Sequence, residues 1–303
     1  MLPGMPGQRS AKPLKPRVAI VGAGNLARAL AVALYRAGYR VEQILSRNQP
    51  ASLRRARRLA LEVGASAAMM GKAHIEAEVV WLCVPDGAIA GAATALQAAA
   101  DWSGKVALHS SGALTSHELA PLRLRGAVVA SVHPMMTFVH GSCPPLVGVP
   151  FAIEGDVAAV RMARQVVKNL GGRAYSIRKE EKAAYHAWGT FASPLLTALL
   201  VTSEHVATAA GLQPREAKRR MLPILKETLA NYEVSDAARA FSGPMIRGDI
   251  DTVKRHLNIL RRMPVVKGVY AALARAALAY LPGKNKPSLE NVLNSVRQSR
   301  NRS

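Results

Sequence analysis

The feature that most restricts the fold lies near the start of the chain. Residues 17–21 (Arg-Val-Ala-Ile-Val) form a short apolar run that ends at Gly22 and leads into Gly22-Ala23-Gly24-Asn25-Leu26-Ala27. Apolar positions then recur at helical spacing, Leu26, Ala29, Leu30, Ala33 and Leu34, and stop at Gly38. This order reads as strand, tight turn, helix and C-cap. In such a turn Gly22 permits the sharp reversal, Gly24 lets the backbone approach a ligand, and Ala27 keeps helix and strand close. The first helical N–H groups have no partner within the helix and suit an anion.

The pattern repeats, with strands near 40–45, 66–69, 78–84, 105–109 and 127–132 and helices near 51–63 and 87–100. Strands alternating with helices imply a parallel sheet covered on both faces. A strand at 148–153, a helix at 156–170 and a strand at 173–177 extend it. At about residue 179 strand signals stop. Helices follow: a long one to about Ala210, one after Pro214 at its first position, a short one near 235–241, one near 249–262 and a last one to Leu281. The fold class expected is α/β, a doubly wound Rossmann sheet followed by an all-helical C-terminal domain. The domains are a disordered basic leader (1–16), a Rossmann dinucleotide-binding domain (17–178), a helical domain (179–282) and a basic tail (283–303). The helical half is apolar enough to require a neighbour, and a homodimer through it is expected.

Lysine and arginine number 41 against 19 acidic residues, a net charge of +22. Much of it is local: Arg9, Lys12, Lys15 and Arg17 near the start, Lys284, Lys286, Arg297, Arg300 and Arg302 near the end, and Arg47, Arg54, Arg55, Arg57 and Arg58 between. The terminal groups read as solvated arms, and no specific nucleic-acid role is expected. Two cysteines, Cys83 and Cys143, provide neither a disulfide framework nor a metal-ligand cluster, so no metal is expected and a reducing cytoplasm fits. The leader lacks the apolar region of a signal peptide or membrane anchor. Leu195–Val201 is the most apolar stretch, and polar residues around it point to a buried helix rather than a membrane span.

The loop of Gly22, Ala23, Gly24, Asn25 and Leu26 is read as the phosphate site of a dinucleotide. A site selective for NAD(H) places a carboxylate at the end of the second strand; here stand Ser46 and Arg47, which favour NADP(H) because a guanidinium and a hydroxyl can bind a ribose phosphate. The arginines that follow read mainly as a solvated basic face. Val84-Pro85-Asp86 ends the fourth strand, where it borders the cofactor or, in the case of Asp86, caps the next helix.

Polar residues at strand ends are the candidates for chemistry. One strand runs into His109-Ser110-Ser111-Gly112 and the next into His133-Pro134-Met135-Met136-Thr137. His133 is the first candidate to exchange the proton that accompanies hydride transfer, its pKa lying near working pH. Ser111 is a candidate to hold a substrate oxygen or the imidazole, and His109 reads as structural. Lys182, Tyr185, His186 and Ser193 form a second constellation, in which Lys182 and His186 share a helix face. It forms either the opposite wall of the cleft or an amphipathic helix with a polar start. Arg247 can clamp an anionic substrate or pair with Asp249, itself suited to an N-cap.

The segments GAGNLARAL, LSR, VPD, HSSGAL, SVHPMMTF, KAAYHAWGTFAS and FSGPMIRGDIDTVKRHL, in that order, resemble an uncharacterised bacterial family. That family joins a Rossmann-like NADP-dependent oxidoreductase domain to a C-terminal helical domain of unknown function. The likeness runs from Val18 to about Tyr280 and places the chain in the 6-phosphogluconate-dehydrogenase-like group, with pyrroline-5-carboxylate reductase and prephenate dehydrogenase. In prephenate dehydrogenases a histidine in a similar HPM step, with a serine from the preceding strand end, handles the substrate hydroxyl. The resemblance implies those roles for His133 and Ser111. Met136-Thr137 departs from the small glycine-containing segment of those enzymes, and Ser193-Pro194 stands where many family members carry asparagine.

The function expected is an NADP(H)-dependent oxidoreductase moving a hydride between the nicotinamide and a small carbonyl, imine or hydroxyl substrate in an interdomain cleft. The alternative is a non-catalytic NADP(H)-binding regulatory protein whose basic arms contact nucleic acid or an acidic partner.

Overall fold

A computed structural model describes residues 15–298, and the chain divides into two units between Thr190 and Phe191. The first unit holds a sheet of eight strands, β1 (Val18–Val21), β2 (Val41–Ser46), β3 (Ser66–Met69), β4 (Val79–Leu82), β5 (Val106–His109), β6 (Val128–Pro134), β7 (Pro150–Gly155) and β8 (Arg173–Ser176), in the order 3-2-1-4-5-6-7-8. Its helices are α1 (Asn25–Arg36), α2 (Pro50–Val63), α3 (Ile89–Ala95), α4 (Ala120–Arg123), α5 (Val157–Asn169) and α6 (Lys182–Thr190).

Strand residues alternate between faces, and both faces are covered. Val18 and Ile20 join one apolar core with Leu30 and Leu59, while Ala19 and Val21 join a second with Ile89 and Leu96. This accounts for unbroken apolar strands such as Val79–Leu82, buried at every position. The order of strands reverses between β1 and β4, leaving a crevice outside their carboxyl ends.

The sheet departs from the all-parallel expectation at β7, which pairs antiparallel with β6 while β8 runs parallel to β7. A parallel return needs a crossover, and residues 135–149 contain no helix to make one.

The second unit is helical, with α7 (Leu196–Ala209), α8 (Pro214–Val234), α9 (Ala237–Ala240), α10 (Pro244–Arg247), α11 (Ile250–Ile259), α12 (Pro264–Tyr280) and α13 (Lys286–Gln298). A five-residue π-helical stretch, Phe191–Leu195, precedes α7 and contains Pro194, which has no N–H to continue an α-helical ladder. The core of this unit gathers Met245, Val253, Leu257, Leu278, Leu289 and Leu293.

Two expectations about the ends of the chain change. Residues 286–298 are not a solvated tail but α13, whose Leu289 and Leu293 are fully buried. Lys286 donates through Nζ to Leu278 O at 2.7 Å. Near the start, Lys15 donates to Ala37 O and Arg17 pairs with Glu78 at 2.7 Å, while the leader up to residue 14 lies outside the described residues.

The apolar segment Leu195–Val201 is not buried within the chain. α7 has no buried residue, and Leu195 and Val201 are 45% and 47% exposed. Among the described residues no single helix is long and apolar enough to cross a membrane; Lys179–Ala209 and Pro214–Val234, bent at their break, pass that test only as a pair and by length and composition alone.

Candidate functional site

The turn after β1 is held by backbone hydrogen bonds on both sides, Gly22 N to Leu45 O at 2.7 Å and Cys83 N to Val21 O at 2.7 Å. Gly22 has φ +113°, and a Cβ on it would collide with the Cys83 carbonyl, so the fold itself demands glycine there. Gly24 differs. Its φ of −81° suits any residue, and a Cβ placed on it would meet nothing within 4 Å. Gly24 faces a cavity of about 420 Å³, bordered also by Ser46, Arg47, Ser52, Arg55 and Val84. A second cavity, about 320 Å³, shares Ala23, Gly24 and Arg55 with it and adds Arg28 and Arg58. α1 begins at Asn25 with no side chain capping its first turn, so its leading N–H groups are available to an anion. Asn25 itself is tied through Nδ2 to Phe138 O at 3.1 Å.

Arg47 Nε and Arg55 Nη2 both lie 3.4 Å from the buried Ser52 Oγ, on the first turn of α2. Two guanidinium groups therefore converge on one hydroxyl beside Ser46. Arg55 belongs to the basic run that reads as a solvated face, and Ser52 carries no signal of its own. The only cue was spacing, since they stand three positions apart on a helix and both follow Arg47 closely.

Beyond the ends of β5 and β6 the chain builds a polar scaffold. Ser111 Oγ donates to Asp86 Oδ2 at 2.8 Å and accepts from the N–H groups of Ala113 (3.2 Å) and Leu114 (2.9 Å). With its hydrogen and both lone pairs engaged, Ser111 anchors the turn and has nothing to offer a substrate. Asp86 is accordingly not a helix cap. Lys182 is fully buried, its Nζ donating to Ser131 Oγ at 2.7 Å and to Ser111 O at 3.1 Å. Burial lowers its pKa to about 8, against the opposing pull of Glu154 and Asp86. Lys182 thus stands behind the Ser111 turn, not on a cleft wall. His109 is buried as well: Nδ1 accepts from Ser111 N at 3.1 Å, which leaves Nε2 to donate to Thr115 O at 3.0 Å.

His133, on β6, remains open to chemistry. Its Nδ1 lies 2.9 Å from the Tyr185 hydroxyl, and its ring is 6.2 Å from that of the exposed His186. A Cβ at Gly112 would come within 2.8 Å of His133 Nε2 and 2.7 Å of His186 Cδ2, so a side chain there would displace one or both imidazoles. Burial first, then the charges of Lys182 and His186, lower the His133 pKa to about 4. The expected proton carrier with a pKa near neutrality is instead a neutral ring across the physiological range.

Sequence comparison adds two domain matches. Residues 4–134 match a Rossmann-like domain and residues 149–277 match a domain of unknown function, DUF2520. The chain joins a Rossmann-like domain to a DUF2520 domain. No curated protein matches it. Among solved structures it is similar to a Bacteroides fragilis protein assigned as an NADP oxidoreductase (23% identity, TM-score 0.74, covering 86% of this chain and 97% of that one). It is similar to protein TM1727 of Thermotoga maritima (26% identity, TM-score 0.67, 92% and 99%). A reductive aminase from Aspergillus terreus, solved with NADPH and ethyl-5-oxohexanoate, shares 16% identity at a TM-score of 0.64, over 91% and 98%. The DUF2520 match begins before β7, so the last two strands of the sheet fall within it.

Arg247 ends α10, exposed and without a hydrogen bond to Asp249, which caps α11 by accepting from Thr252 N at 3.0 Å. Among the described residues there is no cluster of His, Cys, Asp and Glu that could hold a metal.

The depressed histidines tie stability to pH. The folded pKa values of His109 and His133 fall from 6.5 to about 4, so between these limits the unfolded chain binds protons that the folded chain refuses. The contribution of these two residues to stability is full above pH 6.5 and declines as pH falls toward 4. The thermal midpoint is expected to drop across this window, and His109→Gln, with no proton to gain there, should show a shallower slope; equal slopes would contradict the assignment.

Proposed function

We propose that this chain is an NADP(H)-dependent oxidoreductase. Gly24 carries the reading: a glycine that neither its backbone angles nor its neighbours require, at a helix start opening on a cavity rimmed by arginines. Something outside the chain accounts for it, and close approach of a pyrophosphate does so. The residues present fit such a group. The N–H groups at the start of α1 would bind the pyrophosphate, Ser46, Arg47, Ser52 and Arg55 the ribose phosphate, and Val84 and Pro85 would border the cofactor. When bound, NADP(H) supplies or accepts the hydride. Support for the cofactor comes from the similar reductive aminase solved with NADPH and from a Plasmodium falciparum pyrroline carboxylate reductase solved with NADP (12% identity, TM-score 0.56).

In this reading the substrate is small and reacts at a carbonyl, imine or hydroxyl carbon. His133 is the group that meets it, the exposed His186 stands beside it, and the proton that accompanies the hydride is exchanged with solvent. Ser111 and Lys182 position the turn that carries Gly112.

The test is a fluorescence titration with NADPH and NADH at fixed ionic strength. Wild type should bind NADPH more tightly than NADH. Arg47→Ala should weaken NADPH by roughly ten- to a hundredfold, the loss of one charge-assisted hydrogen bond of about 1.5–3 kcal/mol, and leave NADH unchanged. Gly24→Val should weaken both nucleotides with the melting temperature unchanged. Binding of neither nucleotide by wild type would sink the proposal.

For a partner, the reading takes a second copy of the chain. Leu222, Ile224, Leu229 and Tyr232 of α8 are exposed, as are Leu196, Val201 and Val206 of α7, apolar side chains that a second copy would cover. Light scattering should give twice the 32.3 kDa chain mass, and a monomer would contradict it.

A further inference from the structure

The two ring nitrogens of His133 have unlike surroundings. Nδ1 lies 2.9 Å from the Tyr185 hydroxyl, whereas Nε2 has no hydrogen-bond partner among the described residues and lies beside Gly112. Tyr185 is 8% exposed, with its ring edge-on to His133 (centroids 5.5 Å apart) and to Tyr175 (6.3 Å). Burial, with the neighbouring Tyr175 adding to its effect, raises the Tyr185 pKa, so the phenol keeps its proton. A phenol facing an imidazole nitrogen donates to it, because the nitrogen is the stronger base. With the phenol as donor, Nδ1 accepts and a neutral ring carries its one hydrogen on Nε2.

We propose that Tyr185 is a positioning residue that locks His133 in the Nε2–H tautomer, giving the site a fixed, neutral hydrogen-bond donor over Gly112. This rests on the reading of His133 as the group that meets substrate, and it narrows the substrate. A neutral N–H recognises an atom with a free lone pair, the oxygen of a carbonyl or a hydroxyl, and polarises it without surrendering a proton. A protonated imine has no lone pair to offer and does not match. Gly112 serves the same end: any side chain there would strike Nε2 and His186 together.

His109 provides an internal reference, since its own bonds to Ser111 N and Thr115 O also hold the hydrogen on Nε2. The experiment is a long-range proton–nitrogen NMR correlation of the histidine rings, on full-length protein labelled at histidine and without nucleotide. His133 is identified by the signals lost in His133→Gln. Wild type should show a protonated, pyrrole-like Nε2 and an unprotonated, pyridine-like Nδ1 for His133, unchanged from pH 8 to pH 5. In Tyr185→Phe the His133 nitrogen shifts should move toward the average of two tautomers while those of His109 stay in place.

A wild-type His133 with its hydrogen on Nδ1, or already exchanging between tautomers, would overturn the proposal. So would unchanged His133 shifts in Tyr185→Phe. If that variant does not fold, the wild-type pattern decides alone. Because no nucleotide is present, the outcome is independent of the cofactor titration: either can fail while the other stands.

Discussion

The molecule is organised around the seam between β1 and its two neighbours. Gly22 N reaches Leu45 O on β2, and Cys83 N, just past β4, reaches Val21 O on β1, so three strand ends are tied at one level. The chain can turn there only because Gly22 has no side chain to strike the Cys83 carbonyl. The start of α1, the cavity above Gly24 and the Val84–Asp86 step all take their places from this seam. Without the reversal at Gly22 there would be no exposed helix N-terminus and no gap for the arginines of α2 to line.

A second constraint acts one strand further on, in the low-dielectric space beneath the Ser111 turn. Two charged residues are buried there, Lys182 and Glu154, and an unpartnered buried charge is costly. Each is compensated by named groups. Glu154 accepts from Ser116 N at 2.6 Å and from Ser116 Oγ at 2.9 Å, while Lys182 donates to Ser131 Oγ and Ser111 O. These bonds leave the turn one favourable position, and that position sets Gly112 against His133. Residues that look reactive by type thus serve as supports, and a phenol and a glycine flank the imidazole of His133.

Much of the sheet was legible in the sequence because strands buried on both faces must be apolar throughout, and several, such as β1 at Gly22 and β2 at Ser46, are closed by a glycine or a polar residue. The Gly22–Ala27 turn was legible because its composition answers a steric demand. The direction of β7 was not, since it depends on the absence of a helix in residues 135–149, and an irregular link carries no positive signature. α13 was hidden behind its charge: Leu289 and Leu293 stand four apart, as a buried helix face requires, in a segment whose basic residues suggest a solvated arm. At the site, His133 and Arg47 were visible from their places at strand ends. Saturation of the Ser111 hydroxyl and burial of Lys182 were not, because both depend on partners far apart in sequence. Ser52 and Arg55 were equally obscure until α2 folded back beside Ser46.

The central claim is that the open space above Gly24, flanked by Arg47 and Arg55, holds a dinucleotide phosphate. Hydrogen–deuterium exchange of the full chain with and without saturating NADPH tests it most directly, because it reports where protection arises. The account predicts slower exchange in the segments spanning residues 22–28 and 46–55, with α13 at its nucleotide-free rate. Unchanged exchange in those two segments, or protection confined to the helical unit, would contradict it.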